Sequence, residues 1–115
     1  MVVKYKGVKV IESGPQTVWK EVPQSGDGRR GQVKLDPGPS QKAYNHSPDG
    51  FQWGYGGSGP AQLALALLLD VTGDEQLSVR LHQQFKRSFV AGWGERWEIT
   101  DEAIRGWIKL ARTEV

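Results

Sequence analysis

The feature that most constrains the fold is a run of leucine and alanine, residues 63–69, that has no polar face. Gly59 and Pro60 come just before it and fit the N-cap and first residue of a helix, because the fixed φ of proline suits that position. Gly73 fits the position just after the helix. A helix that is apolar on all sides must be covered on all sides, so we expect it to lie at the centre of the molecule.

Two further helices are predicted after the apolar one. Asp74 fits the N-cap of the second, and Thr100 with Asp101 fits the start of the third. The residues predicted to be buried are Leu77, Leu81, Phe85 and Phe89 on the second helix, and Ala103, Ile104, Trp107, Ile108 and Ala111 on the third. Trp93 and Trp97 flank a predicted loop. Exposed aromatic rings there could stack on bases, but we expect these indoles to fill the space between the two helices.

The first part of the chain is patterned as β-strand. β-branched and aromatic residues are interleaved with lysine over residues 2–11, with a break expected near Gly7. Two further β-prone runs cover residues 17–22 and 31–35, and the glycine-rich residues 24–31 between them predict a hairpin with a long mobile tip. Beyond this hairpin the prolines at positions 37 and 39 exclude a central strand, so an irregular crossing is expected as far as residue 50.

Length and composition favour one folded domain. A chain of 115 residues suits a single core, and five tryptophans with 37% hydrophobic residues are typical of a globular protein. We therefore expect an α+β fold over residues 1–115, in which a small antiparallel N-terminal sheet packs against three C-terminal helices.

The sequence favours a cytoplasmic protein. It has no cysteine, so it has neither a disulfide framework nor a thiolate metal site. Residues 1–11 lack the continuous apolar stretch of a signal peptide, and residues 63–69 fall far short of the roughly 20 apolar residues that cross a bilayer. The net charge is only +2 and the basic residues are dispersed, so neither a membrane nor a nucleic acid is expected as a partner.

Few side chains are suited to catalysis or metal binding. The histidines are His46 and His82, and a structural zinc site would need both of them with carboxylates from distant segments. Ser47 or Ser58 could join His46 and Asp49 in a triad, but residues in such a Pro-Gly turn more often cap and bend the backbone. We therefore expect no metal, no cofactor and no enzymatic activity.

The most informative segment is residues 51–62, named here the Gly-aromatic turn. Four glycines lie within six positions of it, so its backbone can adopt positive φ and approach a neighbour closely. A helix N-terminus follows, where free amide groups suit a phosphate. The spacing matches neither a dinucleotide fingerprint nor a P-loop. Two interpretations remain open: an anion site, or a sharp bend beneath Trp53 and Tyr55 that serves the fold.

Residues 45–69, with Phe85-Lys86 and residues 97–100, resemble the family known as domain of unknown function 6166, which occurs in bacteria, archaea and their viruses. The resemblance covers roughly the C-terminal two thirds of the chain. It implies no activity or mechanism. The occurrence in viruses implies, by analogy, an antagonist of host defence that sequesters a nucleotide signal.

These observations lead to a hypothesis of a non-enzymatic binding protein. The amides of Gly57, Ser58 and Gly59 would hold an anionic group, and Trp53 or Tyr55 would stack on a planar one. The predicted ligand-binding residues are His46, Phe51, Trp53, Tyr55, Gly56, Gly57, Ser58, Gly59 and Gln62, with Arg29 and Arg30 closing over the anion. The alternative is a protein–protein adaptor or inhibitor of a host or viral enzyme, which would use the same aromatic patch or the Arg29-Arg30 loop. An enzyme that acts on a nucleotide is a third hypothesis.

Overall fold

The computed structural model describes residues 2–10, 14–23 and 30–113, so residues 24–29 of the predicted hairpin tip, including Arg29, lie outside it. The strands are β1 Lys4–Val8, β2 Val18–Pro23, β3 Arg30–Lys34 and β4 Arg96–Thr100, in one antiparallel sheet of order β3-β2-β1-β4. The helices are α1 Gly38–Ala43, α2 Ser58–Thr72, α3 Glu75–Ser88 and α4 Asp101–Thr113, and a short 3-10 turn, Val90–Gly92, follows α3. The predicted α+β class is confirmed.

The sheet takes one strand from the second half of the chain, which the sequence analysis missed. β4 pairs antiparallel with β1, with Ile99 opposite Tyr5 and Trp97 opposite Gly7. This five-residue strand was predicted as loop because it lies between a glycine and a helix start. The tryptophans of this region therefore pack beneath the sheet, at β1 and β4, and the prediction that they fill the space between α3 and α4 is wrong.

Two details of the first half also differ from the prediction. The crossing predicted as irregular contains α1, because prolines are well tolerated in the first turn of a helix. Gly7 does not break β1, since it lies within the strand on the side that faces the helices. A Cβ atom there would lie 2.7 Å from the ring of Trp53 and 2.7 Å from Nε1 of Trp97. Gly7 is thus needed to let these rings approach the sheet.

The apolar helix α2 lies at the centre of the molecule, as predicted, and every residue from 61 to 68 is buried. Its N-cap is Gly57 rather than Gly59, and it ends at Gly73, whose φ of 67° is left-handed. The predicted caps of the next two helices are confirmed: Asp74 accepts from the Leu77 amide at 3.0 Å, and the Thr100 hydroxyl accepts from the Ala103 amide at 3.1 Å.

The buried stripes of α3 and α4 follow the predicted spacing with one exception. Leu81, Phe85, Ile104, Ile108 and Ala111 are buried, whereas Leu77, Phe89 and Trp107 are partly buried against the core. Ala103 is exposed, because it lies beyond the edge of the stripe. Among the described residues, no helix combines the length and apolar character that a membrane crossing requires.

Candidate functional site

Two of the three aromatic rings of the Gly-aromatic turn lie inside the molecule. Trp53 is fully buried, and its indole N–H donates to the Gly94 carbonyl at 2.8 Å. Phe51 is also buried, and its carbonyl accepts from the Gln16 amide at 2.9 Å. Stacking on a ligand would require either ring to leave the core. The predicted ligand contacts of Phe51 and Trp53 are therefore not available in this structure.

Gln62 is a buried polar residue whose amide group organises the preceding loop. Its Oε1 accepts from the backbone amides of His46 at 2.7 Å and Ser47 at 2.9 Å. Its Nε2 donates to the Ser40 hydroxyl at 2.9 Å and the Tyr44 carbonyl at 3.2 Å. These four bonds occupy both N–H groups and both lone pairs of the side-chain amide. Gln62 therefore holds the loop onto α2 and has no group left for a ligand.

His46 faces α3 and contacts His82 there. Their Nε2 atoms are 2.7 Å apart, and Nδ1 of His82 lies 2.5 Å from the Val79 carbonyl. Since Nδ1 of His82 donates to that carbonyl, its Nε2 accepts from Nε2–H of His46. Burial is the main cause that lowers the pKa of both imidazoles, and nearby Lys86 lowers them further. The pair is a neutral hydrogen-bonded contact between the loop and α3.

The His46–His82 pair does not belong to a metal site formed by the described residues. Across the described parts of the chain, no group of three or more His, Cys, Asp or Glu side chains is placed to hold a metal ion. One face of His46 is occupied as well, because the Tyr44 ring stacks on it with the centroids 4.3 Å apart. The pair links the loop to α3, and a ligand contact by the His46 ring would require the His46–His82 hydrogen bond to break.

The outer part of the turn is exposed but encloses little space. Tyr55 and Ser58 line a pocket of about 190 Å³ at the start of α2. This volume is below the roughly 300 Å³ at which ligand pockets usually begin. Asp49 lines the same pocket, and its carboxylate would repel an anion placed there. The predicted anion cradle is thus small and carries an opposing charge.

The glycines of the turn serve close packing more than unusual backbone conformation. Only Gly54 among the four has positive φ, at 90°, and its amide donates to the Val90 carbonyl at 3.0 Å. A Cβ on Gly59 would lie 2.5 Å from Cβ of Gln52, whereas a Cβ on Gly56 would meet nothing within 4 Å. Positive φ thus occurs at Gly54, whereas the close approach of a neighbour is what Gly59 requires.

The predicted Arg29-Arg30 clamp is only partly within the described residues. Arg29 lies outside them, and for Arg30 the backbone alone is described, at the start of β3 opposite Pro23. In the β2–β3 ladder the pair Trp19–Lys34 lies at the other end. The role predicted for this loop stays a prediction.

No helix of the described part of the chain covers the other face of the sheet, which presents a row of charged and aromatic residues. We call it the open sheet face, and its central row is Lys6, Trp19 and Lys34. Trp19 is opposite Lys6 in β1 and opposite Lys34 in β3, so the three side chains project from the same side of the sheet. Nζ of Lys34 lies 5.8 Å from the centroid of the Trp19 ring. A partly exposed indole thus lies between two lysines.

A cavity adjoins this row and contains further cationic and apolar groups. It has a volume of about 390 Å³, and the residues that line it include Lys6, Val8, Val10, Trp19 and Arg96, with one carboxylate, that of Glu98. Val10, which is 76% exposed, adds apolar surface to this cavity.

The lysines on the open sheet face differ in whether they are neutralised. Lys6 pairs with Glu21 at 3.1 Å, and Lys4 pairs with Glu98 at 3.3 Å. No ion pair of Lys34 or Arg96 occurs among the described residues. Within the described ranges, two cations of this face therefore have no carboxylate partner.

The sequence contains a partial signal for this face. The interleaving of Lys4 and Lys6 with Val3 and Tyr5 shows that one side of β1 is cationic, but it cannot show which residues of other strands lie beside it. The sequence predicts a strand at Trp19 but not the side of the sheet on which its ring lies. The register that brings Lys34 and Lys6 to its two sides depends on strand order. The structure supplies that register.

The comparisons with known proteins identify one relationship. The chain gives no match to any curated protein or solved structure at a significant level. A family model matches residues 5–110, which is nearly the whole chain, and its description is a family of unknown function, DUF6166. The predicted resemblance is thereby confirmed, and the chain belongs to the DUF6166 family.

Proposed function

We propose that the protein is a non-enzymatic binding protein that takes a phosphorylated nucleotide on its open sheet face. The observation that carries this proposal is the row in which Trp19 lies between Lys6 and Lys34, beside a cavity of about 390 Å³. Tryptophan offers a flat surface for a base, and unpaired lysine or arginine offers a charge for phosphate. Both groups occur on one accessible surface.

The geometry favours this face over the Gly-aromatic turn. The cavity beside Trp19 is about twice the volume of the pocket at Tyr55, with about 390 Å³ against about 190 Å³. Ligand pockets usually have roughly 300 to 1,000 Å³, a range that includes the first cavity alone. Glu98 lines the cavity beside Trp19 but is paired with Lys4 at 3.3 Å, and Arg96 and Lys34 add positive charge on that face, whereas Asp49 places negative charge near Tyr55. A planar anion therefore fits the sheet better than the turn.

The interactions that the open sheet face offers are sufficient for moderate affinity. Base stacking contributes roughly 1 to 3 kcal/mol, and each hydrogen bond to a charged group contributes about 1.5 to 3 kcal/mol. After the cost of association, a Kd in the micromolar range is expected. This affinity suits a protein that sequesters a nucleotide signal while present in excess, in a reducing cytoplasm, as a viral antagonist of host defence would.

Calorimetric titration with the four ribonucleoside monophosphates tests the proposal. Trp19→Ala should weaken binding about 10-fold or more, because the stacking surface is lost, whereas Trp19→Phe should retain much of it. Arg96→Ala should also weaken binding, and the exposed but distant Arg87→Ala is its matched control. Inorganic phosphate should bind far more weakly than any nucleotide, since it cannot stack.

Two results would contradict the proposal. Absence of binding for all four nucleotides at millimolar concentration would exclude the open sheet face as a nucleotide site. Binding that is lost in Tyr55→Ala but kept in Trp19→Ala would instead place the ligand at the Gly-aromatic turn. A steep dependence on salt would indicate an extended nucleic acid, because a single phosphate releases few counterions.

A further inference from the structure

A second surface, at α4, differs in chemistry from the open sheet face. A groove of about 570 Å³ runs between α4 and the turn that joins α2 to α3. Leu77 and the mostly buried Ile108 form its apolar part. Arg105, Lys109 and Arg112 line it from α4 and are all exposed. This surface, called the α4 groove, therefore combines an apolar floor with a cationic side.

The three cations form an ordered row because of their spacing. Positions 105, 109 and 112 are separated by four and three residues, which places them on one side of the helix over a length of about 10 Å. The row is partly fixed, since the Arg105 guanidinium donates to the Val71 carbonyl at 2.9 Å. That bond also satisfies a carbonyl near the end of α2.

The positive charge of the row is not neutralised within the described chain. None of its three members takes part in an ion pair found in the described ranges. Asp74 lines the groove, but one of its carboxylate oxygens accepts from the Leu77 amide and caps α3. Among the described residues, the groove thus carries three cations against one carboxylate that already has a structural role.

We propose that the α4 groove binds an acidic amphipathic segment of another protein. An apolar side chain of the segment would pack between Leu77 and Ile108, and carboxylates one and two helical turns away would pair with the row on α4. Charge complementarity over a linear array of about 10 Å selects a peptide over a compact anion.

The same features argue against other occupants. A symmetric dimer through this groove would bring two copies of the cationic row together, and such like-charge contacts are unfavourable. A nucleic acid would satisfy the cations but leave the apolar floor of Leu77 and Ile108 uncovered. This proposal is independent of nucleotide binding, since none of its residues lies on the open sheet face.

Selection from a phage-displayed library of random 16-residue peptides tests the inference with the intact protein as bait. Peptides recovered on the unaltered chain should be enriched at least 10-fold in sequences that combine an apolar residue with two or more Asp or Glu within two helical turns. Lys109→Glu with Arg112→Glu should lower the affinity of the recovered peptides at least 10-fold. The matched control is Lys42→Glu with Arg87→Glu, two exposed cations on other helices, which should leave it unchanged.

The outcomes separate this inference from the proposed function. Trp19→Ala should still bind the peptides, and Lys109→Glu with Arg112→Glu should still bind the nucleotide. Recovery of no enriched peptide, of peptides without acidic residues, or of peptides insensitive to the α4 charge reversal would overturn the inference. Displacement of the peptides by a 16-nucleotide single strand, without any dependence on Leu77→Ser, would likewise overturn it and indicate a polyanion site.

Discussion

The Gly-aromatic turn is conspicuous in the sequence but has buried aromatic side chains, whereas the open sheet face is inconspicuous in the sequence but accessible to solvent. The turn concentrates glycine and aromatic residues in twelve positions, yet Phe51, Trp53 and Gln62 are buried and bonded within the fold. The open sheet face is assembled from residues of separate strands, and its indole and two unpaired cations face outward. A dense cluster in the sequence can therefore be a packing solution, whereas a binding surface can be dispersed along the chain.

The two regions should differ most in how far the free energy of unfolding decreases when a tryptophan is replaced by alanine. Trp53→Ala should lower the free energy of unfolding by roughly 3 to 5 kcal/mol, because it empties a fully buried site and removes a buried hydrogen bond. Trp19→Ala should cost less, roughly 0.5 to 2 kcal/mol, because its side chain is only partly buried and its loss leaves no enclosed cavity. Chemical denaturation of both variants measures the difference, and equal losses would remove the distinction between the two regions.

Gln62 allows the packing role of the turn to be tested through hydrogen bonds. Gln62→Leu should lower the free energy of unfolding by roughly 2 to 3 kcal/mol, because the amides of His46 and Ser47 lose their acceptor. Gln76→Leu, at an exposed position of α3, is the matched control and should be nearly neutral. Thermal and urea unfolding provide the measurement, and a neutral Gln62→Leu would show that the loop does not depend on this side chain.

Two glycines of the turn allow a requirement for space to be distinguished from a requirement for backbone flexibility. Gly59→Ala should cost about 1 to 3 kcal/mol, because its Cβ would lie 2.5 Å from Cβ of Gln52. Gly56→Ala should be neutral or slightly stabilising, since its Cβ meets nothing within 4 Å and alanine restricts the unfolded chain. Comparable unfolding midpoints for the two variants would contradict the packing explanation.

The smallest expected effect is a dependence of stability on pH from His46 and His82. Burial lowers the pKa of each below its ordinary value of 6.5, so the unfolded chain binds more protons than the folded chain as the pH falls. The stabilising contribution is fully present above about pH 6.5 and is lost as the pH falls through the lowered pKa of each group.

Unfolding experiments from pH 7.5 to pH 5 measure this dependence. His82→Gln removes one titrating ring and should flatten the decrease in this range, because two protonated rings can no longer oppose each other. An identical pH dependence in the variant and the unaltered chain would show that the pair does not carry the effect.

The elements of the fold were largely predictable because their signals are local. The apolar run of α2, the left-handed Gly73 and the caps at Asp74 and Thr100 depend on neighbours along the chain. β4 was missed because five residues between a glycine and a helix start carry too little pattern. Its pairing with β1 is decided by tertiary packing of Trp97 beneath Gly7.

The candidate sites were less predictable, because accessibility and register are properties of the whole fold. No local pattern distinguishes the buried Trp53 from the partly exposed Trp19, since both are tryptophans among polar and β-branched or glycine residues. Placing Lys6 and Lys34 on either side of Trp19 requires the strand order, which a long β2–β3 connection does not determine. The α4 groove depends on the approach of helices that are distant in sequence.

The most direct test of the central claim is a nuclear magnetic resonance titration that follows the indole N–H signals of the five tryptophans. Nucleoside monophosphate added to ¹⁵N-labelled protein should shift the Trp19 indole and the amides of Lys34 and Arg96. The buried Trp53 indole and the amides of Tyr55 and Ser58 should stay in place. Shifts confined to Tyr55, Ser58 and Trp53 would contradict the account and return the site to the Gly-aromatic turn.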